Sequence, residues 1–300
     1  MKILVLGGGI SPEKDVSLRS AANVQDALIK AGFEVIFYDP ANGVEELLRL
    51  AKSCDLVFPI LHGVGGEDGT LQKIFKENDI KYLGSNVKAS QNCSDKFKFY
   101  KICRENNINV PKTEVVDKSS IKDSSLSENP FVLKPINGGS AIDTFIMRRV
   151  PNDFAIFDEV FDKYKEMILE ELIIGREVTC GVLNGKSLPV VEIIPPPGEE
   201  FDAENRYNGR SQELCPPENI DEKTQKEIQG LTLKVHKILN CGHLSRTDMI
   251  VANDSIHVLE LNTIPGLTKA SLYPKEAETA GLSMEELVKE FVRLVTQSYE

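Results

Sequence analysis

The chain has 300 residues and a formal net charge of −11, with 41% apolar and 27% charged residues. That length fits two or three domains, and the acidic balance argues against a general nucleic-acid binder. No run reaches the ~18 apolar residues of a membrane span, and the scattered Cys54, Cys93, Cys103, Cys180, Cys215 and Cys241 form no C-x-x-C pair, which argues against structural zinc and for a reducing cytosol.

The N-terminal MKILVLGGG is too short for a secretory leader and reads as a first strand. KILVLGG, SLRSAANVQDALIKAG and EVIFYD then predict strand, helix, strand, with Gly32 as the helix stop. EELLRLAKSCDLVFPILHG repeats the alternation, and a helix near TLQKIFKEN and a short strand KYLG complete a small α/β layer. A new unit opens at NCSDKFKFYKICRENNINVPKTEVV, with Ser94 or Asp95 as helix cap. The apolar runs PFVLKP, EMILEELI and EVTCGVL predict strands, the last two flanking Gly175. IIPPPGEEFDAENRYNGRSQELCPP is expected to be a long irregular loop, because proline removes backbone donors. A helix near TQKEIQGLTLKVHKILN, a hairpin turning at residues 253 to 255 and a terminal helix SMEELVKEFVRLV follow.

Four segments carry candidate chemistry. GGGISPEKD is followed by an acid, Asp39, at the end of the second strand, but Pro12 stands where a dinucleotide motif needs its third glycine. The loop still presents Glu13 at the strand's C-terminal edge, where α/β proteins bind ligands. HGVGGEDGT places His62 at a second such edge, among four glycines; a structural histidine and a ligand-binding one are both open readings. FVLKPINGGSAID ends a buried strand in Lys134, whose ammonium must find an anion or reach water. Its glycine loop could cradle phosphate oxygens, although by itself it reads as a plain turn.

SRTDMIVANDSIHVLELN is the most informative segment. With residues 253 to 255 as the loop, Asp248 lies opposite Glu260 and Arg246 opposite Asn262, all on one face. Met249, Val251, Leu259 and Leu261 then fill the other face, whereas a tighter two-residue turn would send the two acids to opposite faces. Two carboxylates and an amide on one half-buried face call for a cation, and magnesium suits such oxygen ligands. The alternative is a hairpin with a simple salt bridge between Arg246 and a carboxylate.

With these motifs in this order the chain resembles the ATP-grasp ligases, and within them the D-alanine–D-alanine ligase family. The resemblance runs through LGGGISPEKDVSLRS, HGVGGEDGTLQ, SDKFKFYK, FVLKPINGGS, ILEELIIGREVT, RTDM and ELNTIPGLT with SLYPKEAETAG. It implies an α/β (overall α+β) ATP-grasp fold with an N-terminal Rossmann-like domain. Three domains are expected, at residues 1–88, 89–178 and 179–300. Carried over by position, Lys96 and Lys134 contact ATP phosphates, Glu170, Glu171, Leu172 and Ile173 line the adenine, and Glu177 holds the ribose. Asp248, Glu260 and Asn262 match the ligands of magnesium, or manganese, with Asn262 also near the nucleotide. Glu13, His62, Ser140, Tyr207, Arg246, Gly266, Ser271 and Leu272 match positions around two amino acids, D-alanine by resemblance, and the transition state. The family further suggests a cytoplasmic homodimer making a peptidoglycan precursor, with no nucleic-acid or membrane partner. An ATP-grasp ligase with another substrate pair and a nucleotide-binding homologue without turnover are the competing readings.

The chain departs from the family pattern at three single positions and in one longer stretch. Ala141 replaces a serine, Asp143 a glycine, and Glu171 stands where lysine is common, so negative charge gathers near the phosphates. The FDAENRY stretch around Tyr207, expected to act as a lid, keeps only part of the family's aromatic and acidic pattern.

Overall fold

The computed structural model describes residues 1–199, 205, 209–253 and 255–298. Three sheets organise them. The first is parallel, built from β1 (Lys2–Leu6), β2 (Glu34–Tyr38) and β3 (Leu56–Pro59) in the order β2-β1-β3, joined through α1 (Lys14–Lys30) and α2 (Val44–Lys52). Strand order reverses at β1, so a crevice opens beyond the C-terminal ends of β1 and β3. Gly32, with φ +91°, follows the α1 C-terminus as expected of a left-handed stop.

Helices α3 (Thr70–Glu77), α4 (Val87–Ser94) and α5 (Lys96–Glu105) lead to the second sheet. Asp95 caps α5, its side chain accepting the Lys98 N–H at 3.0 Å. β4 (Thr113–Asp117), β5 (Phe131–Pro135), β6 (Phe145–Met147) and β7 (Glu166–Glu171) form an antiparallel sheet ordered β4-β7-β5-β6, with α6 (Asp158–Tyr164) against it. Phe131, Leu133, Phe157, Phe161 and Leu169 form its core.

The third sheet, also antiparallel, runs β11-β10-β8-β12-β13. It contains β8 (Arg176–Leu183), the short β9 (Lys186–Ser187) beside β8, β10 (Val191–Ile194), β11 (Gln212–Leu214), β12 (Leu244–Ala252) and β13 (Ser255–Asn262). β11 corrects the expectation of an irregular loop: within the proline-rich stretch Gln212–Leu214 pairs with β10, because three consecutive non-proline residues suffice for a short edge strand. α7 (Glu222–Ile238) and α5 cover one face of this sheet, burying Phe99, Tyr100, Ile228, Val235, Met249 and Val258 together.

α8 (Leu272–Thr279) and α9 (Met284–Gln297) end the described chain. α9 returns to the first sheet, where Phe291 meets Phe58 edge-on at 6.3 Å. Its buried Leu287, Val288, Phe291, Val292 and Val295 share a core with Ile3, Val5, Val24 and Leu28. The boundaries expected after residues 88 and 178 fall inside α4 and β8.

Candidate active site

The hairpin does what the sequence pattern asks, by a different route. Ala252 pairs with Ser255, the tighter register that would separate the acids, and Met249 pairs with Val258. A bulge then intervenes, leaving Leu259 as the extra residue, and Asp248 pairs with Glu260 and Arg246 with Asn262. Two corrections follow. The register is restored within the strand rather than at the turn, and Leu259 lines the cleft beside Ile250 and Glu260, while Val258 and Leu261 pack into the core.

Asp248 is 4% exposed and densely held. Thr179, its partner on β8, donates to Oδ1 at 2.6 Å, and Arg246 donates through Nε to Oδ1 at 2.9 Å and through Nη2 to Oδ2 at 2.8 Å. The Asn262 amide approaches Oδ2 at 3.3 Å. The salt bridge offered as the alternative reading is thus present, and it coexists with convergence of both acids on one face. Glu260, opposite, lies 3.7 Å from the Lys96 ammonium. Among the described residues no cluster of three or more His, Cys, Asp or Glu side chains could hold a metal. The donor set here is two carboxylates and an amide oxygen, which suits a hard divalent cation whose remaining ligands are water and phosphate.

Two cavities meet at this hairpin. The smaller, about 420 Å³, is lined by Lys134, Glu170 to Ile173, Glu177, Asp248 and Leu259. The larger, about 2160 Å³, is lined by Glu13, His62, Ser140, Arg246, Gly266 and Ser271. Lys96, Gly138, Gly139 and Glu260 line both, so the two spaces share one wall.

In the smaller cavity Lys134 bridges to Glu170 Oε2 at 3.0 Å and to the Tyr100 hydroxyl at 3.1 Å. Glu170 Oε1 is buried with no hydrogen-bond partner among the described residues. A buried acceptor left open costs stability unless a ligand's donor meets it, as an exocyclic amine would. Lys96 opens α5, its ammonium donating to the Gly138 carbonyl at 2.5 Å; burial pulls its pKa down while Glu260 opposes that shift. Both lysines stand where a triphosphate could exchange for their present carboxylate partners.

In the larger cavity Glu13 and His62 sit at the crevice past β1 and β3. Ser140 Oγ donates to Glu13 Oε1 at 2.5 Å, joining the second sheet's glycine loop to the first sheet. Gly63 makes room, since a Cβ there would stand 2.7 Å from Glu13 Oε2. His62 lies 3.3 Å from Ser20 Oγ, and burial lowers its pKa to about 4, so the imidazole is neutral at pH 7. Asp39, which raised the dinucleotide reading, instead closes its own loop: it accepts the Gly9 N–H at 2.8 Å and pairs with Lys14 at 3.1 Å. Ser271, next to Gly266, accepts the Thr268 N–H at 3.0 Å, and Leu272 is buried beside it. Tyr207 lies outside the described residues; Asn205, Gly209 and Ser211 on its flanks line the larger cavity.

Two acids escaped the sequence reading. Glu67 accepts the N–H groups of Gly63 and Ile264, both at 3.0 Å, tying the histidine loop to the end of the hairpin. Burial, with Glu13 and Glu260 nearby, raises its pKa to about 7. An acid inside a glycine run was the available signal. Glu276 is fully buried over Gly181, the strand partner of Arg246, and neither carboxyl oxygen has a hydrogen-bond partner among the described residues. Burial pushes its pKa well above the usual carboxylate range, so it is a neutral acid near Arg246. The available signal was its spacing, since Glu276 follows Leu272 by four residues and Tyr273 by three, on the buried face of α8.

The departures also acquire partners. Glu171 is engaged by Lys112, accepting its backbone N–H at 2.9 Å with the Lys112 ammonium 3.9 Å away. Asp143 accepts from Lys163 and from the Tyr164 hydroxyl, both at 2.5 Å.

Two antiparallel sheets enclosing a lysine-lined cavity, with paired acids in its wall and an α/β layer lining the adjoining larger cavity, define an ATP-grasp enzyme. Family models for the D-alanine–D-alanine ligase C-terminus and N-terminus match residues 98–293 and 40–85. The chain is 34% identical over 297 residues to the D-alanine–D-alanine ligase of Maridesulfovibrio salexigens, covering 98% of each. It is 36% identical over 295 residues to D-alanine–D-alanine ligase A of Clostridium perfringens, covering 96% of each. The crystal structure of the Bacillus anthracis D-alanine–D-alanine ligase complexed with ATP superposes with a TM-score of 0.85 at 29% identity, over 99% of this chain and 98% of that one. The chain belongs to the D-alanine–D-alanine ligase family, whose members are ATP-dependent ligases.

Proposed function

We propose that this chain joins two D-alanines at the expense of ATP, giving the dipeptide, ADP and phosphate for peptidoglycan synthesis. The observation that carries the reading is the shared wall between the cavities, where Lys96 and Glu260 face both. A nucleotide in one and an amino-acid carboxylate in the other would meet there, across the acids of the hairpin.

The reaction brings a carboxylate against a phosphate, so positive charge fixed in advance is its main requirement. Lys96 and Lys134 would bind the triphosphate, with Glu170 taking the adenine amine and Glu177 the ribose. Asp248, Glu260 and Asn262 would hold magnesium, which supplies charge neutralisation at the phosphate oxygens. Arg246 would leave Asp248 for the reacting carboxylate and, with the Gly266 N–H, stabilise the oxyanion formed when the second amine attacks. Glu13, Ser140 and Tyr207 would orient that amine and take its proton. Neutral His62, with Ser271 and Leu272, would shape the amino-acid pocket. Burial of these groups keeps water from the acyl phosphate. Each sheet would anchor one of three units, and the family suggests a homodimer in the cytoplasm.

The test is incubation with ATP, magnesium and D-alanine. Mass spectrometry is expected to find the dipeptide, with ADP release dependent on both additions. ADP release indifferent to D-alanine, or a dipeptide formed only with another amino acid, overturns the substrate assignment.

A further inference from the structure

The loop from Asn137 to Thr144 covers the smaller cavity, and its backbone is costly. Ser140, Ala141 and Asp143 have φ of +53°, +55° and +54°, the left-handed region that side chains disfavour. Among the described residues two backbone hydrogen bonds run inside it, Ile142 N to Gly139 O at 3.2 Å and Thr144 N to Ala141 O at 3.3 Å. Such a conformation persists when its surroundings over-determine it. Glu13 holds one side of the loop through Ser140. The other side is held from α6: Lys163 and Tyr164 both donate to Asp143 Oδ2 at 2.5 Å, and the Lys163 ammonium lies 4.8 Å from the Tyr164 ring centre.

Direction matters as much as strength. Ala141, Ile142 and Thr144 line the smaller cavity, and Asp143 does not. The left-handed turn aims the carboxylate outward, at the end of α6, so its charge is paired away from the phosphates it would otherwise repel. The hydrogen bond from Lys163 holds the Asp143 carboxyl below the usual range, in agreement with a charge-assisted contact.

We propose that Asp143, Lys163 and Tyr164 form a latch that holds the phosphate-covering loop in its ATP-binding shape. This rests on the nucleotide reading of the smaller cavity. All three are positioning residues, acting on ATP through the backbone of residues 138–144. Without the latch the loop relaxes toward ordinary backbone angles, and ATP must select the minor closed form, which weakens apparent affinity by the closed fraction. Once ATP is bound, the loop is closed and the chemical step is unaltered.

Steady-state kinetics of the full-length enzyme tests this. Asp143→Asn is expected to raise the KM for ATP about five-fold and Lys163→Met about three-fold, with kcat within about two-fold of the parent. The two changes combined are expected to be no worse than Asp143→Asn, because they remove one interaction. Lys163→Arg is expected to keep the parent KM, and melting temperatures to stay within about 3 °C. An unchanged KM in both single variants, or effects that multiply, overturns the latch. The melting shift produced by ATP without D-alanine gives the same comparison independently of turnover. A parent enzyme that makes no dipeptide would therefore refute the substrate assignment and leave the latch to be judged on that shift.

Discussion

The β12–β13 hairpin and the loop from Asn137 to Thr144 face the same cavity and are held in opposite ways. Asp248 is fixed by ladders on both sides, with Thr179 across one and Glu260 across the other. Among the described residues the loop has no ladder beyond a single bridge between Asp95 and Asn137, and side chains from three other segments pin it: Glu13, Lys96 on α5, and Lys163 with Tyr164 on α6. The groups proposed to meet a metal sit on backbone that sheet pairing over-determines. The groups proposed to admit and release a nucleotide sit on backbone that a few side-chain contacts hold.

The comparison can be broken first at the hairpin. Asp248→Asn and Glu260→Gln are each expected to lower kcat about 10²–10³-fold, read as dipeptide formed, the scale set by losing one preorganised electrostatic contact. Melting temperature is expected to fall with Asp248→Asn, which leaves the buried Arg246 guanidinium without its carboxylate partner, and to change less with Glu260→Gln, whose contact with Lys96 is longer at 3.7 Å.

Deleting Leu259 sharpens it. The deletion straightens the ladder yet leaves Asp248 opposite Glu260 and Arg246 opposite Asn262, because the bulged residue is the one removed. Activity within about tenfold of the parent is expected, with a raised KM for ATP from the lost apolar contact. Complete loss of activity with an intact fold would show that the bulge itself aims Glu260.

A smaller effect lies in stability against pH. Glu67, raised to about 7 by burial, keeps a proton in the folded state that the unfolded chain has lost, so stability falls as pH rises from about 4.5 to about 7. His62, lowered to about 4, works in the opposite sense, and its contribution is lost as pH falls from about 6.5 to about 4. Between these limits the two slopes oppose. Glu67→Gln is expected to uncover the histidine slope, so its melting temperature climbs more steeply than the parent's from pH 4.5 to 6.5. The least effect is expected at Glu171→Lys, under about two-fold in KM for ATP, because that carboxylate already faces Lys112 and sits at a half-exposed edge.

Much of the site was legible in residue pattern. Alternation put Asp248 and Glu260 on one face, strand ends placed Glu13 and His62 at a crevice, and Lys134 at the end of a buried strand demanded an anion. Register was legible only in outcome: a loop of three residues and a bulge after two give the same pairing at Asp248, and pattern does not separate them. Glu67 and Glu276 were missed because their roles come from burial by segments distant in sequence.

Sequence alone was enough for the element order of the first α/β layer, the face on which the acids lie and the family, since these follow from local periodicity and ordered motifs, but not for β6, α6, β10, β11 or α8. The tertiary structure decided that α9 returns to the first sheet, that the two cavities share Lys96 and Glu260, that Asp143 is turned out of the smaller cavity toward α6, and that Glu171 is paired with Lys112. Those outcomes depend on contacts between residues far apart in the chain, where burial and the direction of a side chain set the energy and composition does not.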